Sequence, residues 1–432
     1  MLRNISILLF LGFLVQCQPQ PYEFSEDNSS EILKTLSSDD MRGRQAFTPD
    51  IDKAADYISS KFDQIDLDEF DGESDYLQKF EVLSIQVKNA DIEVGGTEVS
   101  PDDFFVLGDT ANIEWAETNQ IETVQIAEGE NFQQRFNEIR EKNVEAFVFI
   151  DESHEAIFRR YQPFFSRASR TFPEEQSSNK VFVLSSGSSE TSFSAYVTKS
   201  TDRLELANVV GKIDGNRKDE YVVFSAHYDH IGVRQPNSAN ADSIANGAND
   251  NASGTTAVIE LAKYFKSKGT PERTLLFVAF TAEESGGYGS KYFSKQLEPD
   301  QIMAMFNIEM IGKPAVEGPN TAWITGFEKS SFGELLQKSA EGTIYEFYPD
   351  PYPNQNLFYR SDNATLARLG VPAHTISTTP IDVDPDYHKV SDEFETIDVA
   401  HLTNTIRAIS QAAVGIVSGQ DTPTRVDASQ LN

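Results

Sequence analysis

The chain has 432 residues, enough for one large, well-buried domain with an insertion. Its 36 Lys plus Arg face 68 Asp plus Glu, a formal net charge of -32. A field of that sign repels nucleic acid and anionic membrane surfaces, so neither is expected as a partner, and its plain consequence is solubility.

Arg3 precedes an apolar run from Ile5 to Val15, too short to span a bilayer as a stable helix. A charged start, a short apolar stretch and then polar residues form the pattern of an export signal. The run ends at Leu14-Val15-Gln16-Cys17, and Cys17 is the only cysteine. It stands where bacterial lipoproteins carry the cysteine that is lipidated after signal cleavage. Gln16 departs from the small residue usual before it. Residues 1–17 are expected to be a signal with a lipidated Cys17, so that membrane attachment is through an N-terminal lipid only. Ordinary secretion with an incidental Cys17 is the alternative. In neither case can an internal disulfide form.

Residues 18–28, with Pro19 and Pro21, read as a tether. A helix is predicted over Ser30–Leu36, followed by a loop at Asp39-Asp40-Met41-Arg42-Gly43-Arg44. Ile51, Ala55, Ile58, Phe62 and Ile65 share one helix face, with Pro49 near the start. Strand texture runs from Tyr76 to about Val94, and Gly95-Gly96 marks a turn. Residues 84–200 carry no metal-type cluster. Phe132, Phe136 and Ile139 lie at helical spacing, and Ala146–Ile150 and Val181–Leu184 read as strands. This stretch is expected to be an inserted smaller α+β subdomain between two parts of the main domain, 29–83 and 201–419. His154, inside it, reads as a surface residue.

After Leu206 short apolar runs alternate with helical patterns. Strands are predicted at Tyr221–Ala226, Thr274–Phe280, Met303–Ile308 and Ala373–Ser377, and helices at Thr255–Lys266 and Ile397–Val417. The alternation predicts an α/β fold with a mixed, mainly parallel central sheet and helices on both faces. Residues 420–432 read as a flexible tail.

Chemistry-bearing residues fall after these strands. They are Ala226-His227-Tyr228-Asp229-His230, Asn249-Asp250-Asn251-Ala252-Ser253-Gly254, Glu283-Glu284, Asn307-Ile308-Glu309 and Tyr387-His388. In open α/β sheets, loops outside the carboxyl ends of different strands converge on one site. Histidine nitrogens and carboxylate oxygens are zinc ligands, and one carboxylate can bridge two ions. Asp250 precedes a helix in a loop rich in Asn, Ser and Gly, where it fits either a bridging ligand or a helix cap. Glu283-Glu284 follows a buried strand, where adjacent carboxylates repel unless a cation takes one and leaves the other as a base.

These five ordered motifs, with Asp40-Met41-Arg42-Gly43-Arg44 ahead of them, resemble the co-catalytic zinc exopeptidases of metallopeptidase family twenty-eight. That family includes bacterial leucyl-type aminopeptidases, glutamate carboxypeptidases and glutaminyl cyclases. The likeness runs from about Glu31 to Val417, apart from the insertion. The insertion resembles protease-associated modules in position and texture only. The resemblance implies the zinc exopeptidase fold and two Zn(2+) per chain. His227 and Glu309 would bind the first zinc, Asp250 would bridge, and Glu284 with His388 would bind the second. Asp229 would orient His227, Glu283 would be the general base, and Tyr387 would hydrogen-bond the oxyanion. Glu309 departs from the pattern, since the position is more often aspartate.

Weaker assignments surround these. His230 reads as a pocket-wall or supporting residue rather than a ligand. Asp392 orients His388 or is an exposed loop carboxylate. Arg360 binds a substrate carbonyl or carboxylate, or makes a structural salt bridge. His374 and His401 read as structural. The implied activity is that of an exopeptidase on peptide substrates. An aminopeptidase is favoured because a free α-amine suits metals and acidic groups, whereas a carboxypeptidase needs a basic pocket and only Arg360 offers one. The alternatives are a glutaminyl cyclase-like acyltransferase with one zinc, or a non-catalytic surface binding protein. Oligomeric state is left open.

Overall fold

The computed structural model describes residues 22–116, 121–188, 190–235 and 241–431. The expected signal, Cys17 and the start of the tether lie outside the described residues. Two compact units divide the chain: one joins the stretch up to Gln78 with everything from Ala207, and the other is Lys79–Leu206. The chain passes from one to the other within two long strands, Leu77–Val94 and Phe193–Ile213. The second unit therefore begins before residue 84 and ends after residue 200, because those strands outrun their apolar stretches.

In the first unit, helix α1 (Glu26–Leu36) is capped by Ser25, whose side chain accepts from the Asn28 amide. It starts inside the expected tether, and Phe24 ahead of it is buried, so residues 22–28 are structured rather than a free linker. Helix α2 (Pro49–Ile65) has Thr48 as its cap and buries Ile51, Ala55, Ile58 and Phe62, the face read from sequence.

Strands β1 (Phe193–Ile213), β2 (Arg217–His227), β3 (Arg273–Phe280), β4 (Ile302–Ile308), β5 (Thr321–Ile324), β6 (Glu346–Pro349) and β7 (Ala373–Ser377) run in the order β6-β5-β7-β4-β2-β3-β1 within a larger, 12-stranded sheet. Neighbours from β7 through β4 and β2 to β3 are parallel, while β1 and β5 join antiparallel. Strand β3 is buried along its whole length, as parallel strands covered on both faces are. Phe224 stacks between Phe277 and Phe306 of the adjoining strands, at 5.6 and 4.9 Å. Helix α3 (Gly254–Ser267) and helix α4 (Val399–Ala412) join α1 and α2 in the core on one face. Phe293, Phe358 and Leu366 cover the other. The parallel run brings the carboxyl ends of β2, β3, β4 and β7 to one edge.

Two expectations fail at the C-terminus. The predicted helix Ile397–Val417 starts at Val399, where Asp398 caps it, and breaks at Ala413 before a last turn, Val414–Val417. The predicted flexible tail is ordered through residue 431. Buried Arg273 donates to the carbonyls of Ile416 (2.7 Å) and Asp421 (2.8 Å) and to Thr422 Oγ1 (2.6 Å), and Val426 is buried.

The second unit holds a four-stranded sheet in the order Phe104–Leu107, Lys180–Leu184, Ala146–Ile150, Glu122–Ile126, with helices Phe132–Glu141 and Glu155–Phe165. Phe105 and Phe182 stack at 4.9 Å, beside Phe136 and Phe158. His154 is half-buried, with Nε2 2.8 Å from the Ala127 carbonyl, rather than free on the surface. Among the described residues no helix is long and apolar enough to cross a membrane.

Candidate metal centre

Each ligand-type residue arrives on a short excursion from the shared sheet edge. His227 ends β2 and is buried, and its Nδ1 lies 3.1 Å from the Asp229 carbonyl. Glu283-Glu284 follows β3, and Glu309 follows β4. His388 comes from the long loop after β7. Ala282, Met310 and His388 all have positive φ, at 57°, 54° and 57°. A non-glycine residue in that region is strained, and here such residues sit at or beside the side chains that converge.

Asp250 stands in the middle. Its Oδ1 is 3.3 Å from His227 Nε2, and its Oδ2 is 3.3 Å from His388 Nε2. Glu284 Oε2 lies 3.4 Å from the same His388 nitrogen. Two donor groups result, one of His227, Asp250 and Glu309 and one of His230, Asp250 and Glu284, each with its ligand atoms within 4.8 Å of one another. His227, Asp250, Glu284, Glu309 and His388 are thus brought together, as expected of one site.

The loop behind Asp250 is built to hold it. Asp392 accepts from the Asn249 amide (2.9 and 3.1 Å) and the Asp250 amide (3.0 Å). It is therefore not an exposed carboxylate: it anchors the backbone that carries Asp250. Asn251 donates to the Ile308 carbonyl (3.0 Å) and accepts from the Gly254 and Met310 amides (3.0 and 3.2 Å), tying this loop to the one that carries Glu309. Asp229 also differs from expectation. Its carboxylate is 3.8 Å from His227 Nδ1, beyond hydrogen-bond range, and instead accepts from the amides of Glu283 (3.0 Å) and Glu284 (3.3 Å). It fixes the turn that presents the two glutamates.

His230 is fully buried rather than on the cavity wall, with Nδ1 2.8 Å from Glu284 Oε1. Tyr387 stacks on His388 at 4.0 Å, and its hydroxyl accepts from Arg360 Nη2 at 3.4 Å. Arg360 is exposed and also donates to Gln355 Oε1 at 3.1 Å, so among its described contacts it makes hydrogen bonds rather than a salt bridge. His374 and His401 are buried away from the cluster, His374 between the Thr325 carbonyl and Ser330 Oγ. A cavity of about 200 Å³ opens over the site, with Met310, Trp323, Leu357 and Ile381 on its walls.

The donor set fits bound cations. His227 Nε2 and both His230 nitrogens are buried without a well-formed hydrogen bond; His227 Nε2 only approaches Asp250, and His230 Nδ1 only faces Glu284 Oε1, a costly state that metal ligation relieves. Burial pushes Asp229 and Glu309 up to about 7, and Asp362 and Asp392 up to about 6. Asp250 is the exception: burial opposes its ionisation, but His227 and His388 beside it hold it well below the usual range. So many carboxylates are anionic together only where positive charge joins them.

Sequence reasoning missed Asp362, whose buried oxygens have no hydrogen-bond partner, and Arg44, considered below. The order Ser361-Asp362 before a helix was the one available signal for the first.

Residues 208–413 match the profile of Peptidase family M28. This segment is a peptidase family M28 domain. Relatives of the M28 domain include a probable leucine aminopeptidase of Arthroderma otae, 26% identical over 217 residues. That match covers 48% of this chain and 56% of the relative. Probable leucine aminopeptidase 1 of Trichophyton verrucosum is 27% identical over 267 residues, covering 58% and 68%. The chain thus spans little more than half of the first relative's length. Among solved structures, the aminopeptidase from Aneurinibacillus sp. strain AM-1 has 18% identity and a TM-score of 0.54, over 91% of this chain and 94% of that one. BSAP, a zinc aminopeptidase from Bacillus subtilis, has 18% identity and a TM-score of 0.57, over 93% and 97%. At such identities the likeness is one of fold, and it is the α/β fold expected of the sequence.

Proposed function

We propose that the protein is a zinc-dependent aminopeptidase that releases N-terminal residues from peptides. The observation that carries this reading is Asp250, which presents one carboxylate oxygen to each of two histidines. Glu309 beside His227 and Asp250 supports two cations over the one-zinc cyclase alternative. In this reading His227 and Glu309 would hold one zinc, Glu284 and His388 would hold the other, and Asp250 would be shared between them. Zinc bound there would supply Lewis acidity toward a carbonyl and a lowered pKa for water.

The chain's own groups do the rest. Glu283 accepts a proton from the attacking water as the carbon–oxygen bond forms, then donates it to the leaving amine as the carbon–nitrogen bond breaks. Tyr387 accepts its hydrogen bond from Arg360, which leaves the phenol proton free for the oxyanion. Met310, Trp323, Leu357 and Ile381 offer walls for an apolar N-terminal side chain. Arg360, exposed at the rim, is available to a substrate carbonyl. The presence of Glu283 together with both histidines, Asp250 and Glu284 argues against a non-catalytic binding protein. The run from Ile5 to Val15 before Cys17 supports export and a lipid anchor.

The test is a hydrolysis screen of peptides with free and blocked N-termini, with elemental analysis of the same sample. Cleavage of free N-termini only, with two zinc per chain and loss on chelation, is expected. Cleavage of blocked peptides, or pyroglutamate formation, would overturn the reading. In parallel, Glu309→Ala lowers zinc content toward one per chain, and unchanged binding of two ions would remove Glu309 from the site.

A further inference from the structure

The Asp39–Arg44 segment is a motif of the sequence that the reaction leaves without a task. It runs as a tight turn with positive φ at Arg42, Gly43 and Arg44. A Cβ on Gly43 would meet the Ala245 carbonyl oxygen at 2.4 Å and Gly232 Cα at 2.8 Å, so the segment lies directly against the loops of the site. The Arg44 carbonyl accepts from the His230 amide at 3.2 Å.

The Arg44 side chain is only 1% exposed. Its Nε donates to the Tyr228 carbonyl at 2.7 Å, between His227 and Asp229 in sequence. Its Nη1 donates to the carbonyls of Leu36 (2.5 Å) and Asn246 (2.6 Å), and Nη2 to that of Gly247 (3.0 Å). Tyr228 belongs to the loop of His227, and Asn246 and Gly247 lead into Asp250. One planar fork thus spans the two loops that carry the first histidine and the central carboxylate. A buried cation is expensive, and carbonyl hydrogen bonds alone repay little of its hydration. Burial lowers the guanidinium to about 10, and the negative charges that act back on it are those of Asp229, Asp392, Asp250 and Glu284. It therefore remains charged at neutral pH, held by carbonyls of the loops that carry His227 and Asp250.

We propose that Arg44 is the positioning residue of the metal centre: it pins both ligand loops by their carbonyls and supplies fixed positive charge that holds the carboxylates together before cations arrive. The inference rests on the reading of the cluster as a metal site. It goes beyond that reading in assigning the organisation of the site to a residue remote in sequence that touches neither ligand side chain. Lysine keeps the charge but lacks the planar fork that reaches several carbonyls at once.

The experiment compares full-length wild type, Arg44→Lys and Arg44→Met. Zinc affinity is read by chelator competition, and tertiary structure of the zinc-free proteins by near-ultraviolet circular dichroism. With the fold retained, zinc binding is expected to weaken roughly tenfold in R44K and roughly a hundredfold in R44M. In zinc-free wild type, amide exchange at residues 227–230 and 246–250 is expected to be slow already and to change little on adding zinc. Wild-type zinc affinity in R44K overturns the proposal, as does exchange in those loops that slows only once zinc is added. Should R44M not fold, R44K decides. Loss of tertiary structure in R44K as well overturns it, because a role in general folding would then suffice. Zinc binding is read without peptidase activity, so a wild type that takes up no zinc defeats the proposed function, whereas equal uptake by wild type and R44K defeats this inference alone.

Discussion

The sheet edge of the first unit and the interior of the second unit bury their side chains on opposite terms. In the second unit Phe105, Phe136, Phe158 and Phe182 fill the space between strands and helices with ring contacts. At the edge of the first, His227, His230 and Asp362 are buried with polar atoms that lack a well-formed hydrogen bond. Apolar burial lowers free energy by itself, whereas unpartnered polar burial raises it until something binds. The first pattern marks architecture and the second marks a site, and the two respond to substitution differently.

The largest effect separates chemistry from structure. Glu283→Gln keeps the shape of the site and removes the proton carrier. Peptidase turnover is expected to fall by ~10²- to 10⁴-fold with zinc content unchanged. Normal turnover would remove Glu283 from the mechanism. The converse is Phe105→Ala, which is expected to cost about 3–5 kcal/mol in the second unit by leaving a cavity. Denaturant unfolding checks the loss, and zinc content measured under native conditions is expected to stay at the wild-type level.

A third prediction uses a buried histidine outside the site. Burial holds His374 down to about 4, from the 6.5 ordinary for histidine, with Nδ1 near the Thr325 carbonyl. The neutral ring is favoured in the fold, so its contribution is complete above 6.5 and is lost as pH falls toward 4. That linkage amounts to about 3 kcal/mol. Unfolding midpoints across this window are expected to fall more steeply in wild type than in His374→Gln; parallel curves would contradict the assignment. Smallest is Ser330→Ala, which removes the hydroxyl 2.7 Å from His374 Nε2 and is expected to cost roughly 1–3 kcal/mol. Thermal unfolding at neutral pH reads it.

Much of this was legible in the sequence because periodicity and strand ends carry it. The apolar runs ending at His227, Phe280 and Ile308 announced both the parallel strands and the edge where His227, Glu283-Glu284 and Glu309 meet. What stayed hidden depends on backbone partners, which no pattern of side chains encodes. Asp392 holds the amides of Asn249 and Asp250, and Arg44 holds carbonyls from two loops distant in sequence. The C-terminal stretch looked polar enough to fray, yet Arg273, far from it in sequence, binds its carbonyls. His230 reads as a pocket-wall or supporting residue, but its spacing from His227 does not reveal that it turns toward Glu284.

The central claim is that Asp250 joins two cations, and zinc-edge anomalous diffraction from crystals grown with zinc tests it directly. The account predicts two peaks on either side of the Asp250 carboxylate, one beside His227 and Glu309 and the other beside Glu284 and His388. A single peak, or a second one held by His230 with His388 turned away, would contradict it.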